Sequence, residues 1–271
     1  MVKKLFKYEF LSYFKVMGVV YAVLLSVAAF DRISRIFESE STVYKIISGF
    51  SVATYSVTLF AVFIFSFLLG IIRFYKNFFT GEGYLSFTLP VSNTQHISVK
   101  LLTALAMQLI TVLVALTSVC IITAGEVLNE FVKAGTFLLS KLYAIVGFDS
   151  VMYIFEALLF FITLIVMQLL LFYACIAVGQ ISNKNRILAA VGAYFAYYIF
   201  TQIVSTVVIV LLSVYADDLL TIFNPAIMFM KEHIECVVHL GLCAVTVWNL
   251  LLSAVFFFVT RFMLNKKLNL E

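Results

Sequence analysis

The residues of this chain that could do chemistry are few and placed far apart. Most sit in one stretch, NFFTGEGYLSFTLPVSNTQH (residues 77–96), which holds a G-x-G around Glu82, a proline at Pro90 and a run of small polar side chains. A glycine-rich turn before a helix start is a shape that can cradle phosphate. No G-x-x-x-x-G-K-[ST] occurs anywhere, however, so the chain does not bind ATP by that route. A second candidate is Glu156, the one carboxylate inside a long apolar run, where an acid is a functional candidate by default. Its neutral form could bond Tyr153, one turn back. A third is HIECVVH, with His233 and His239. Helical geometry sets those two imidazoles on different faces, which disfavours a metal between them. There is no H-E-x-x-H and no pair of carboxylates at helical spacing within an apolar run, so a membrane protease or proton pump lacks its usual groups.

The elements that must hold these residues follow from composition. Apolar residues make up 64% of the 271 residues, charged residues 12%, and proline occurs twice. A soluble domain sits nearer half apolar and a quarter charged, so this chain is solvated by lipid. Its apolar runs are continuous rather than alternating, so the spans are helices and not barrel strands. Six runs are near the ~20 residues needed to cross a bilayer: 16–30, 46–72, 101–123, 151–178, 187–214 and 237–260. An even number places both termini on one side. Twelve of the eighteen basic residues fall at the termini and in the second and fourth loops: Lys3, Lys4, Lys7, Lys15, Arg73, Lys76, Lys100, Lys184, Arg186, Arg261, Lys266 and Lys267. Ten of the fourteen acidic residues lie in the other three loops. The positive-inside rule therefore predicts cytoplasmic termini and a cytoplasmic 73–100 loop in a multi-pass protein of the cell membrane. The net charge of +4 is a topology signal rather than a nucleic-acid surface.

Before the first span, Phe6, Phe10, Tyr13, Phe14 and Met17 recur at helical spacing, with Lys4, Lys7, Glu9, Ser12 and Lys15 mostly opposite. This pattern predicts an amphipathic interfacial helix over 1–15. No small-residue cleavage site follows the first apolar run, so a cleaved signal peptide is not expected. Segments 124–150 and 215–236 are moderately apolar and read as interfacial or re-entrant helices on the outer side, without a folded extracellular domain. Cys120, Cys175, Cys236 and Cys243 read as packing residues. In span five, Ala189 with Ala193 and Gly192 with Ala196 form small-xxx-small pairs that let helices approach closely. The same span carries Tyr197, Tyr198, Thr201, Gln202 and Ser205, and span two carries Ser51, Thr54, Tyr55 and Thr58. Polar groups at mid-depth either bond neighbouring helices or line a substrate path. The path candidates are Thr54, Tyr55, Thr58, Tyr198, Thr201, Gln202 and Ser205.

The 73–100 loop has a layout of its own. FYKNFF continues a helix, Gly81 and Gly83 allow a sharp stop, YLSFTLP gives a short apolar segment, and Ser92 or Asn93 can cap the next helix. Exposed Tyr84, Leu85, Phe87 and Leu89 would be a liability unless docked, which points to a cytoplasmic protein partner.

YLSFTLPVSNTQHISVKLL resembles the loop between the second and third spans of bacterial ABC-transporter permeases of the type-2 exporter superfamily. The match covers Tyr84, Leu85, Thr88 to Ser92, Gln95 and Lys100 to Leu102; where the family often carries arginine, this chain has Asn93 and Thr94. A basic amphipathic N-terminal helix, six spans and FNPAIMFM at 223–230 are similar to the family's layout. The resemblance implies an all-α single transmembrane domain over 1–271 with a cytoplasmic coupling helix between spans two and three. It implies no catalytic site, metal or cofactor in this chain, with ATP and magnesium bound by partner ATP-binding cassette subunits. It also implies a second permease copy or paralogue, as homodimer or heterodimer. By the same resemblance the ATPase contact falls on Phe79, Glu82, Gly83, Tyr84, Leu85, Leu89 and Pro90, with a weaker contact at GQISNKNR, including Asn183. The function so implied is export of an amphipathic or hydrophobic substrate: a peptide, an antimicrobial compound or a lipid. Two alternatives stay open. One is a non-transporting sensor or immunity subunit on the same fold. The other is an intramembrane enzyme using Glu156, with His239 on the same outer side.

Overall fold

A computed structural model describes residues 2–36, 41–81, 83, 88, 90–123, 129, 133, 135–137, 140, 149–182, 184–215 and 234–266. Six long helices account for nearly all of them, and no strand occurs among the described residues. They are α1 (Val2–Ile36), α2 (Thr42–Phe79), α3 (Asn93–Ile122), α4 (Asp149–Gly179), α5 (Arg186–Val214) and α6 (Ile234–Lys266). All six are long and apolar enough to cross a membrane. The shortest, with 29 residues, is about 43 Å long at 1.5 Å per residue, against a hydrocarbon core of about 30 Å. Every helix therefore has turns to spare beyond the lipid core. The chain forms two compact units, Met1–Ala144 and Ile145–Glu271.

The first unit packs α1, α2 and α3 against one another. Residues 2–15 and the first span form one uninterrupted helix, so the boundary expected near residue 15 has no counterpart in the backbone. The buried face of α1 shares Tyr13 and Met17 with the expected stripe but leaves out Phe6, Phe10 and Phe14. It runs Glu9, Tyr13, Met17, Tyr21, Leu24, Ala28, Asp31, while Phe14 of the stripe is exposed. In lipid, apolar side chains gain nothing by leaving solvent for protein, so polar groups and close packing decide which face turns inward. Ser41 caps α2 by accepting from the Tyr44 amide, and Ser92 and Gln95 form a reciprocal capping box on α3. Ser92 is thus the cap and Asn93 the first helical residue.

In the second unit α4 packs against both α5 and α6. Its carboxy-terminal half supplies the buried Leu169, Leu170, Leu171, Tyr173, Ala174, Cys175 and Ala177. None of the described residues of α5 is buried. Its closest tie is at its start, where Ala190 meets Gly179; a Cβ on Gly179 would stand 2.7 Å from the Ala190 amide nitrogen. Of the two expected close-packing pairs, Gly192–Ala196 has no close neighbour at its glycine, where a Cβ would meet open space.

Candidate functional site

The polar residues of the first unit form a ladder along the three-helix core. At one end the Glu9 carboxylate takes both cations of the neighbouring helices. Arg73 donates to its Oε1 through Nε (3.0 Å) and Nη2 (2.9 Å), and Lys100 Nζ lies 2.6 Å from the same oxygen. The guanidinium also stands over the Tyr13 ring, 5.4 Å from its centroid. The Asn77 amide, in the orientation that satisfies both its groups, donates to the Arg73 carbonyl and accepts from Lys100 Nζ. Beside the cluster the His96 ring is buried against the edge of Phe78, and among the described residues its Nε2 has no hydrogen-bond partner.

The next rungs are neutral. Tyr13 donates to the Ser66 carbonyl (2.6 Å), and Thr111 Oγ1 joins the Tyr21 hydroxyl (2.7 Å) to Ser66 Oγ (3.0 Å). Tyr55 and Ser118 share a hydrogen bond of 2.9 Å. At the far end Ser51 donates to Asp31 Oδ1 (2.6 Å), and Arg35 Nε donates to Asp31 Oδ2 (2.9 Å). Twenty-two residues of α1 separate Glu9 from Asp31, a rise of about 33 Å. That is close to one hydrocarbon thickness, and the rungs between the two ionic clusters are hydroxyls, with Gln108 also buried on α3. The Thr111 rung gives a direct stability test. Thr111→Val is expected to lower unfolding free energy by about 1 kcal/mol, and a double-mutant cycle with Tyr21→Phe should show the two effects to be coupled.

The ends of α2 and α3 that flank the glycine turn are fixed by this cluster. Arg73 and Asn77 lie in the last two turns of α2, and Lys100 lies in the second turn of α3. Phe74 and Phe78 are fully buried between them, with ring centroids 4.9 Å apart. Phe79 is the last helical residue, and the Gly83 amide donates to the Thr80 carbonyl at 2.8 Å, closing a turn. The helix stops where the glycine turn was expected, without a left-handed backbone at Gly81, and Pro90 sits in a bend before the cap. Glu82, Tyr84, Leu85, Phe87, Leu89 and Asn183 lie outside the described residues, as do FNPAIMFM at 223–230 and His233.

The two polar sets expected to line a path belong to different units. In the first, Thr54 and Thr58 donate to carbonyls of their own helix, and Tyr55 is taken up by Ser118. In the second, Thr201 and Ser205 likewise donate within α5, while Tyr198 and Gln202 are exposed. Thr54 and Ser51 do line a cavity of about 600 Å³ between α1 and α2, together with Phe30, Ile47 and Phe50.

Glu156 of α4 meets His239 of α6, with Oε2 and Nδ1 2.8 Å apart. The Tyr153 ring stacks on the imidazole, with centroids 3.9 Å apart and planes within 9°. The Cys243 thiol, one turn along from His239, approaches Glu156 Oε1 at 3.8 Å. Cys120, Cys175 and Cys243 are free thiols.

Six spanning helices and two ionic seams define the class: a multi-pass helical membrane protein. No protein-family model, characterised protein or solved structure matches the chain, so nothing narrows that class by kinship.

Proposed function

We propose that this chain is the membrane-spanning permease subunit of an ATP-binding cassette exporter. It carries an amphipathic or hydrophobic substrate out of the cytoplasm or inner leaflet, and a separate ATPase subunit drives it. One observation supports this beyond the loop sequence: the helix ends flanking residues 80–92 are locked to α1 by Glu9, Arg73, Asn77 and Lys100. A segment on which a partner pushes does work only if its displacement reaches the spans. Here the last turns of α2 and the first turns of α3 would move with α1 as one body. In this reading the termini and the 73–100 loop are cytoplasmic. Glu82, Tyr84 and Leu85 dock into the ATPase, and a second copy or paralogue completes the pore. Nucleotide binding closes the paired ATPases and shifts the permease between inward and outward access by its differential affinity for the two states.

The test is to purify the tagged chain from its native host together with the products of adjacent genes. An ATP-binding cassette ATPase is expected to accompany it, and Glu82→Arg should sharply reduce ATP-dependent export at unchanged abundance. A monodisperse chain with no ATPase, and no effect of Glu82→Arg, would end the coupling assignment.

A further inference from the structure

We propose that the outward stripe of α1 carrying Lys4, Lys7 and Lys15 is a docking surface for the acidic phospholipid headgroups of the leaflet on the amino-terminal side. This inference does not depend on the transporter reading; it needs only the membrane setting and the geometry of the first unit.

Lys4, Lys7, Leu11 and Lys15 recur at steps of three and four residues, so they share one face of α1. Glu9, Tyr13 and Met17 lie half a turn away, on the buried face that packs against α2 and α3. The three lysines are exposed, as are Tyr8 and Leu11 among them and Lys3 beside them. The stripe therefore does nothing for the packing of the three helices. Lys4 and Lys15 are about 17 Å apart along the axis. A headgroup layer is about 5–8 Å deep on each side of the hydrocarbon. Four-carbon stems carry the ammonium groups along the helix, outward from Lys15 and inward from Lys4, so one layer of phosphates can meet all three.

Charge selects the partner. Six spans put the termini and the 80–92 and 180–185 connections at one end of the chain's crossings. Three acidic residues fall at that end: Glu9, Glu82 and Glu271. Glu9 is buried and takes Arg73 and Lys100. Wherever Glu82 and Glu271 lie, two carboxylates do not neutralise Lys3, Lys4, Lys7 and Lys15. The other helix ends there add cations, among them Lys76, Lys184, Arg186 and Arg261. The complementary charge must come from outside the chain. The stripe also says that it comes from lipid. Val19, four residues beyond Lys15 on the same face, is exposed, and no charged residue follows Lys15 until Asp31. Charge thus passes without a break into lipid-facing carbon, with Tyr8 among the lysines as aromatic rings stand at a membrane boundary. A bilayer matches that whole gradient; an acidic soluble protein matches only its charged end.

The experiment uses the full chain in phosphatidylcholine vesicles, with spin-labelled phosphatidylglycerol as the probe and spin-labelled phosphatidylcholine as the reference. The immobilised fraction of each label reads its association with the protein. The wild type should favour phosphatidylglycerol several-fold, and the preference should fall as salt is added. Lys4→Gln/Lys7→Gln/Lys15→Gln should lose most of the preference, while Lys4→Arg/Lys7→Arg/Lys15→Arg keeps it. These side chains are exposed, so the unfolding midpoint should stay at the wild-type value in both variants. Lys184→Gln/Arg186→Gln/Lys266→Gln removes the same charge elsewhere at that end and should leave most of the preference. Equal losses in the two glutamine variants would overturn the proposal, because net charge and not the stripe would then attract the lipid. No phosphatidylglycerol preference in the wild type, or its loss in the arginine variant, would overturn it as well.

Discussion

Replacing Glu9 with glutamine lowers the stability of the amino-terminal unit by about 3–5 kcal/mol, the range for removing one partner of a buried ion pair. The size follows from what is left behind. Arg73 and Lys100 both converge on Glu9 Oε1, and the three side chains are 16%, 8% and 9% exposed. Without the carboxylate, two cations stand within reach of each other with little water to screen them. A neutral amide offers one acceptor oxygen but no charge, so most of the penalty remains. Thermal or denaturant unfolding of the purified protein measures it. The control is informative: Glu9→Leu with Arg73→Met and Lys100→Met removes every charge, and buried ion pairs exchanged for apolar groups are often neutral or stabilising. A triple variant near wild-type stability beside a crippled Glu9→Gln shows that the penalty is uncompensated charge. If Glu9→Gln costs less than 1 kcal/mol, water reaches the cluster and the lock is loose.

The six helices were legible in the sequence because length is the only thing a span must satisfy, and continuous apolar runs report length directly. Which face of each helix turns inward was not, for a physical reason. Hydrophobic periodicity locates a core when water is the alternative, and here the alternative is lipid. The expected stripe therefore mixed the two sides, with Tyr13 and Met17 buried and Phe14 exposed, and Glu9 fell on the face taken to be polar. The informative stripe was the polar one: Glu9, Tyr13, Tyr21 and Asp31 lie on one seam because lipid excludes such groups from its own face. Their partners are remote. Arg73 is 64 residues from Glu9 and Thr111 is 90 from Tyr21, so no local spacing could pair them. Glu156 and His239, 83 residues apart, were both singled out from their positions in the sequence, but their contact came from the packing of α4 on α6. The glycine turn was legible for the opposite reason. Helix stops and caps are local, and the Ser92–Gln95 box is written in four consecutive residues.

Introducing leucine at Gly179 should detach the start of α5 from α4 and lower the stability of the second unit by about 1–3 kcal/mol, the usual penalty of overpacking. Gly179 ends α4, and a side chain there would run into Ala190 at 2.7 Å from its amide nitrogen and 2.8 Å from its Cα. Those are backbone atoms of a helix, which cannot swing aside as the tip of a flexible side chain can. Little in α5 offsets the loss, because none of its described residues is buried; its other ties include half-buried rings, Tyr194 on Phe172 and Tyr197 against Phe256. The separation would start at Ala190 and reach Tyr194 one turn later. Limited proteolysis in the 180–185 connection reads the detachment, with Gly192→Leu as the matched comparison on the same helix. A Cβ at Gly192 meets open space, so that variant should leave cleavage and stability unchanged. Equal sensitivity at the two glycines would mean that α5 is held by its small-residue stripe against another surface, and that the Gly179–Ala190 contact does not anchor it.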